Sequence, residues 1–100
     1  MENVYEVAIA LNNTYEDMYN ICYPLVEEII NEKVTDTEEI EKVLNLILGI
    51  YTEKGFNLYL KLLFYYSEIA MEKSYTYLDR LKESRKEEYD DYVKKLEKRK

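Results

Sequence analysis

The chain has very few residues that can form a tight turn. Its 100 residues include two glycines, Gly49 and Gly55, and one proline, Pro24. An all-β sandwich or barrel needs a turn signal about every 8–12 residues, so that class of fold is excluded. Hydrophobic residues make up 47% of the chain and charged residues 35%, which also excludes a disordered tail. The composition therefore predicts an all-α fold, and the length predicts one helical domain over residues 1–100.

Apolar residues follow an unbroken helical spacing in the first third of the chain. They recur at alternating intervals of four and three residues: Val4, Ala8, Leu11, Tyr15, Met18, Cys22, Leu25 and Ile29. We expect one amphipathic helix over roughly residues 3–33. Pro24 costs about 3 kcal/mol inside a helix, so it predicts a kink there or two helices placed end to end. Alternatively, Thr14 and Asp17 form a capping box that starts the helix, and residues 4–11 are a short strand.

The second and third helices are predicted to form a tight αα-hairpin over residues 36–54 and 57–73. Acidic residues crowd the first turn of the second helix, where they interact favourably with the helix dipole. We expect Gly55 to take the left-handed conformation that ends a helix. Tyr51 and Phe56 would then pack together across it in a Schellman motif.

Neither glycine nor proline occurs from Leu58 to the C-terminus. The third of three main helices is therefore predicted to continue as a long C-terminal amphipathic helix, either unbroken or interrupted near residues 74–76 or Ser84. Its apolar stripe passes through Leu78, Leu81, Tyr89, Tyr92 and Leu96. Because an exposed stripe of this length is uncommon on a monomer, we expect a homodimer with these five residues at its interface. Alternatively, the first helix folds back along the C-terminal arm within one chain and covers both stripes without a partner. Lys82 and Arg85 would pair with carboxylates across that interface.

The sequence lacks the side chains on which most catalytic sites depend. It has no histidine, which removes imidazole acid–base catalysis and imidazole metal ligands, and it has one cysteine, Cys22. Cys22 lies on an apolar stripe with no neighbouring cation, so we interpret it as a small buried hydrophobic residue. Two glycines cannot build a phosphate-binding loop. We therefore expect no enzymatic activity, no cofactor and no metal ion.

Charge is distributed unevenly along the chain. The net charge is −7, with −10 on residues 1–53 and +3 on residues 54–100. Candidate partner-binding acids cluster around the first turn between helices: Glu27, Glu28, Asp36, Glu38, Glu39 and Glu41. We hypothesise a non-catalytic protein-binding factor, a small acidic regulator or inhibitor that occupies a partner's surface. One version is an inhibitor of viral or mobile-element origin. Like some anti-CRISPR and nucleic-acid-mimic proteins, it would compete for the groove of a basic nucleic-acid-binding protein.

The basic C-terminal end supports an alternative hypothesis. Five cations follow the last two tyrosines: Lys94, Lys95, Lys98, Arg99 and Lys100. Stacking on tyrosine and contacts with phosphate would make the chain a helical nucleic-acid-associated regulator. The isoelectric point near 4.7 and the acidic residues between these positions argue against direct nucleic-acid binding.

The N-terminal residues give an expectation about location. Met1, Glu2 and Asn3 form an acidic start, whereas a secretory signal begins with basic residues. The apolar stretches are also too short to span a membrane. We therefore expect a cytoplasmic protein without membrane contact.

Overall fold

The computed structural model describes residues 14–98, and all of the regular structure in that range is helical. The helices are α1 (Tyr15–Asn31), α2 (Thr37–Leu48), α3 (Glu53–Ile69), α4 (Met71–Ser84) and α5 (Lys86–Lys98). The all-α prediction is confirmed, whereas the prediction of three main helices is wrong, because these residues alone form five. The alternative strand over residues 4–11 lies outside the described residues.

The first helix that the structure describes begins at Tyr15, whereas the apolar stripe predicts one helix from residue 3. Thr14 has an extended backbone, and its Oγ1 accepts a hydrogen bond of 3.1 Å from the N–H of Asp17. The capping alternative is therefore correct, and a helix running unbroken from residue 3 through Thr14 is wrong. α1 continues without interruption through Pro24, so the prediction of two helices placed end to end is also wrong. Pro24 and Asn20 are both exposed, which lets water satisfy the Asn20 carbonyl that Pro24 cannot bond.

α1 ends in a Schellman motif that contains no glycine. Lys33 has a φ of 54° and donates its N–H to the Ile30 carbonyl at 3.2 Å. The N–H of Val34 donates to the Ile29 carbonyl at 3.0 Å, which completes the motif. The sequence predicted a Schellman motif at Gly55, whereas the structure has one at Lys33. Lysine rarely adopts a left-handed conformation, so its residue type did not predict the motif there.

α2 and α3 form the predicted hairpin with different boundaries. α2 ends at Leu48, and Thr52 caps α3 by accepting a hydrogen bond of 3.0 Å from the N–H of Gly55. Gly55 thus lies in the first turn of α3, and the prediction of a left-handed helix end there is wrong. A Cβ atom on Gly55 would lie 2.4 Å from the carbonyl oxygen of Ile50. The glycine is needed because the preceding loop approaches the helix closely.

The predicted C-terminal helix is interrupted at Ala70 and again at Arg85, which have extended φ values of −145° and −130°. An unbroken helix is therefore wrong, and so is a break near residues 74–76, which lie within α4. The break predicted near Ser84 is confirmed. At Ala70 the chain turns so that α4 packs along α3. The ring of Tyr77 lies 6.2 Å from that of Tyr66, and the Tyr59 hydroxyl donates to the Tyr77 carbonyl at 2.7 Å. These long-range contacts hold the turn without glycine or proline.

The hydrophobic core lies among α1, α2, α3 and α4. Its fully buried apolar side chains are Cys22, Val26, Ile40, Leu44, Ile47, Ile50, Tyr59, Leu62, Tyr66 and Leu81. α5 has no buried residue and lies against the start of α3, where Tyr92 and Phe56 form an edge-to-face pair with centroids 5.8 Å apart. α5 thus borders the core, and its Tyr89 and Tyr92 pack against it.

Substituting the two glycines with alanine should have opposite effects. Gly55→Ala should lower the free energy of unfolding by roughly 1–3 kcal/mol, because its Cβ would force the Ile50 carbonyl to move. At Gly49 φ is −80° and a Cβ would meet its nearest neighbour, the Leu46 carbonyl oxygen, at 3.6 Å. Gly49→Ala should therefore be neutral or stabilising by up to about 1 kcal/mol. Urea denaturation measures the free energy of unfolding of both variants. Equal changes at the two positions would contradict the close approach of the Ile50 carbonyl to Gly55.

Candidate functional site

Glu41, one of the six predicted partner-binding acids, is engaged inside the chain. Its carboxylate accepts hydrogen bonds from the hydroxyls of Tyr66 and Tyr77, the latter at 3.1 Å. Next to this group, Arg80 stacks over the Tyr77 ring at 4.8 Å and donates to Asn45 at 3.0 Å. Glu41 therefore fastens α2 to α3 and α4, and this role removes it from the predicted binding surface.

Two more of the predicted acids have local structural roles. Glu27 forms an ion pair with Lys61 across α1 and α3, and the hydrogen bond from Lys61 lowers the pKa of Glu27. Asp36 is the N-cap of α2, and its Oδ1 accepts the N–H of Glu38 at 3.0 Å. The side chain of Asp36 remains exposed, so capping does not bury its charge.

The remaining predicted acids lie where α1 ends and α2 begins. We call the exposed acids of this region the junction face: Glu28, Glu32, Asp36, Glu38 and Glu39. No ion pair within residues 14–98 includes any of them. The last turn of α1 has no basic residue, so the partial negative charge of its carbonyl end adds to the negative potential of these acids. Lys33, in the turn that follows α1, is a nearby cation. The predicted acidic surface is thus smaller than the sequence suggests, and it gains Glu32.

Arg85 has a structural role that the sequence analysis missed. It is 2% exposed, and its guanidinium donates to the carbonyls of Ile50 at 2.6 Å and Thr52 at 2.9 Å. It also pairs with Glu88 and lies 5.0 Å from the ring centroid of Tyr51. The expectation that Arg85 reaches a carboxylate on another protein copy is therefore wrong. Its bonds join the α2–α3 loop to the start of α5.

A groove of about 440 Å³ opens beside Arg85, between the start of α3 and α5. We call it the α3–α5 groove. Its apolar lining consists of Phe56, Tyr92 and Leu96, with Tyr51 at one side. The charged residues around it are Glu53, Arg85, Glu88, Asp91 and Lys95. Arg85 is buried in its internal bonds, whereas the side chain of its partner Glu88 is 45% exposed, so the charges that an occupant would meet are the carboxylates and Lys95.

The five residues predicted at a dimer interface are not equivalent. Leu81 is completely buried within its own chain, so its predicted place in an interface is wrong. Leu78, Tyr89 and Tyr92 are half-buried against the core, and Leu96 is 42% exposed. Lys82, which was also expected to pair across the interface, lies 5.4 Å from the Tyr89 ring of its own chain. The homodimer itself stays a prediction.

A row of tyrosines marks the other aromatic surface. Tyr15, Tyr19 and Tyr23 follow one another by single turns along α1. Tyr15 packs edge-to-face on Tyr51, with centroids 5.9 Å apart. Lys54 lies 5.7 Å from the Tyr19 ring and Lys61 5.8 Å from the Tyr23 ring. These stacked cations bind α1 to the first half of α3, which gives the row a structural role.

Several ionisable groups of the core are held in their neutral forms. Burial raises the pKa of the Cys22 thiol to about 11, so little nucleophilic thiolate is present at neutral pH. Burial also raises the pKa of Tyr59, Tyr66 and Tyr77, and the Glu41 carboxylate raises the last two further. The three hydroxyls are therefore protonated at neutral pH and can donate hydrogen bonds.

Removing the buried cation should be costly. Arg85→Met should lower the free energy of unfolding by about 3 kcal/mol, because two loop carbonyls and Glu88 lose their donor. Arg80→Met is the matched control and should cost no more than about 1 kcal/mol, since Arg80 is exposed. Urea denaturation measures the free energy of unfolding of both variants. Equal losses of free energy would show that the buried bonds of Arg85 stabilise the fold no more than the exposed contacts of Arg80.

Alkaline pH should weaken the fold. The unfolded chain releases protons from cysteine near pH 8.5 and from tyrosine near pH 10, whereas the folded chain retains them to higher pH. Stability is therefore complete below about pH 8 and falls progressively as the pH rises. The urea midpoint measured from pH 7 to 10 checks this. Cys22→Ala should remove the earliest part of the decline, and an unchanged midpoint across that range would contradict the raised pKa values.

Three further observations bear on the class of site. Within residues 14–98, no three His, Cys, Asp or Glu side chains are grouped so that they could hold a metal ion. None of the helices described is long and apolar enough to cross a membrane. Comparison with protein-family models, curated proteins and solved structures gives no significant match.

Proposed function

We propose that the chain is a non-catalytic protein-binding factor that acts by covering a basic surface on a partner protein. The observation that carries the proposal is the junction face, where exposed carboxylates remain after the internal bonds of Glu27 and Glu41 are assigned. In the version we favour, the partner is a basic nucleic-acid-binding protein, and the junction face competes with phosphates for its groove.

The support is electrostatic and geometric. Glu38 and Glu39 lie in the first turn of α2, and Glu28 and Glu32 lie at the end of α1. Asp36, as the cap of α2, fixes the connection between these two sets of carboxylates. The Tyr65 hydroxyl donates to the Val34 carbonyl at 2.7 Å and anchors the same connection to α3. A rigid acidic surface loses less conformational entropy on binding than a flexible one, which favours association.

Charge reversal on the junction face should abolish partner capture. Glu38→Lys with Glu39→Lys should reduce binding to a basic partner at least tenfold, by replacing attraction with repulsion. The matched control is Glu16→Lys with Asp17→Lys, which reverses two exposed acids in the first turn of α1 and should leave binding unchanged. Affinity capture from the source cells with both variants, followed by titration of the captured protein, measures the effect.

The salt dependence and the control make the result decisive. Capture that depends on the junction face should weaken between low and high ionic strength, because exposed charges are screened. Equal capture by both charge-reversed variants would refute the proposed surface. Circular dichroism should show the same helix content for both variants, since each one reverses two acids in the first turn of a helix and so disturbs the helix dipole to a similar extent.

The alternative function is direct nucleic-acid binding through the basic end of α5. Lys94, Lys95 and Lys98 are exposed there. Fluorescence anisotropy with labelled DNA and RNA at low salt tests it, because phosphate contacts give a steep loss of affinity as salt increases. Binding that disappears when these three lysines are changed to glutamine would favour this alternative over the junction face.

A further inference from the structure

The last helix separates its charges along its length. Its first half has a net negative charge, with Glu87, Glu88, Asp90 and Asp91 against Lys86, and its second half has a net positive charge, with Lys94, Lys95 and Lys98 against Glu97. Its apolar side chains are Tyr89, Tyr92, Val93 and Leu96, and none of them is fully buried. α5 therefore has an incompletely covered apolar face and net charges of opposite sign on its two halves.

The α3–α5 groove lies along this uncovered face. Phe56, Tyr92 and Leu96 provide its apolar lining, and Leu96 is 42% exposed. Glu53, Glu88 and Asp91 supply acids, and Lys95 supplies a cation that lies 3.5 Å from Asp91 on a well-exposed surface. A uniformly basic segment would meet Lys95, and a uniformly acidic segment would meet the carboxylates. The groove therefore suits an occupant that carries both signs of charge in separate halves.

We propose that the occupant is α5 of a second copy of this chain, lying antiparallel in the groove. Antiparallel alignment places the acidic half of one α5 against the basic half of the other. The relation is reciprocal, as a two-fold dimer requires. With the two-fold axis near Val93, Asp91 lies opposite Lys95 of the second copy, and Glu88 lies opposite Lys98 of the second copy. The two Leu96 side chains then cover the apolar lining from both sides.

This interface differs from the one predicted by the apolar stripe. It leaves Leu81 in the core and Arg85 in its internal bonds, and it uses the groove wall of α3, including Glu53 and Phe56. It is also independent of the proposed partner-binding function, because no residue of the junction face belongs to it. Failure of one proposal therefore leaves the other unaffected.

The mass of the full chain in solution tests the dimer. Light scattering coupled to gel filtration, at a chain concentration of roughly 100 micromolar, should give twice the monomer mass of 12.1 kDa. At that concentration the chain is mostly dimeric if the dissociation constant of the dimer is below the chain concentration. Leu96→Glu should raise the dissociation constant at least tenfold by placing a charge in the apolar lining. Phe64→Glu is the control, since Phe64 is exposed on α3 and is not a groove residue. It should leave the dimer intact.

Charge exchange tests the antiparallel alignment. Lys95→Glu alone and Asp91→Lys alone should each weaken the dimer about tenfold, because each places like charges opposite one another. The double variant Asp91→Lys with Lys95→Glu should restore the dimer, since both copies then exchange their charges together. Circular dichroism checks that every variant keeps its helix content.

Each other outcome overturns the proposal. A monomer at this concentration would show that the groove does not receive a second copy. A dimer insensitive to Leu96→Glu would place the interface elsewhere. A dimer that the double variant fails to restore would rule out the antiparallel alignment of charges.

Discussion

A buried guanidinium fixes how the α2–α3 loop meets the end of α4. A charge removed from water must be fully partnered, and Arg85 takes its partners from Ile50, Thr52 and Glu88. This requirement turns the loop carbonyls towards the start of α5. The same Ile50 carbonyl then lies so close to the first turn of α3 that only glycine fits at position 55. The arginine and the glycine are thus two consequences of one loop conformation.

Acidic composition overstates the surface available to a partner. Of the six acids that the sequence suggested, Glu41 binds two tyrosine hydroxyls, Glu27 binds a lysine and Asp36 caps a helix. The cap at Asp36 is local, but the roles of Glu41 and Glu27 depend on residues distant in the sequence, since Tyr77 is 36 positions from Glu41 and Lys61 is 34 positions from Glu27. The remaining carboxylates, those of Glu28, Glu38 and Glu39, form no internal ion pair among the described residues and are exposed. They are therefore the better candidates for binding a partner.

Periodicity was sufficient to predict the fold class but not the helix boundaries. The spacing of apolar residues predicted the all-α class, and most of the residues on the first stripe that the structure describes lie in or against the core. The ends of helices depended on other physics. Lys33 adopts a left-handed conformation without being glycine, and Ala70 interrupts a helix only because Tyr59 and Tyr66 hold α4 alongside α3. The role of Arg85 could not be predicted either. A basic residue between two helices is expected to be exposed, and the sequence does not show that the carbonyls of Ile50 and Thr52 surround it.

The position of α5 at the edge of the core has a consequence for how this protein can change over evolution. Substitutions in α1 to α4 must preserve the packing of buried side chains, so most of them are removed by selection for stability. α5 has no buried residue, and it contacts the rest of the chain through Arg85 and through Tyr89 and Tyr92, which pack against the core. Its outward positions can therefore accept new side chains at little cost in folding free energy. A lineage of such proteins could alter what its last helix recognises while the four-helix core stays the same.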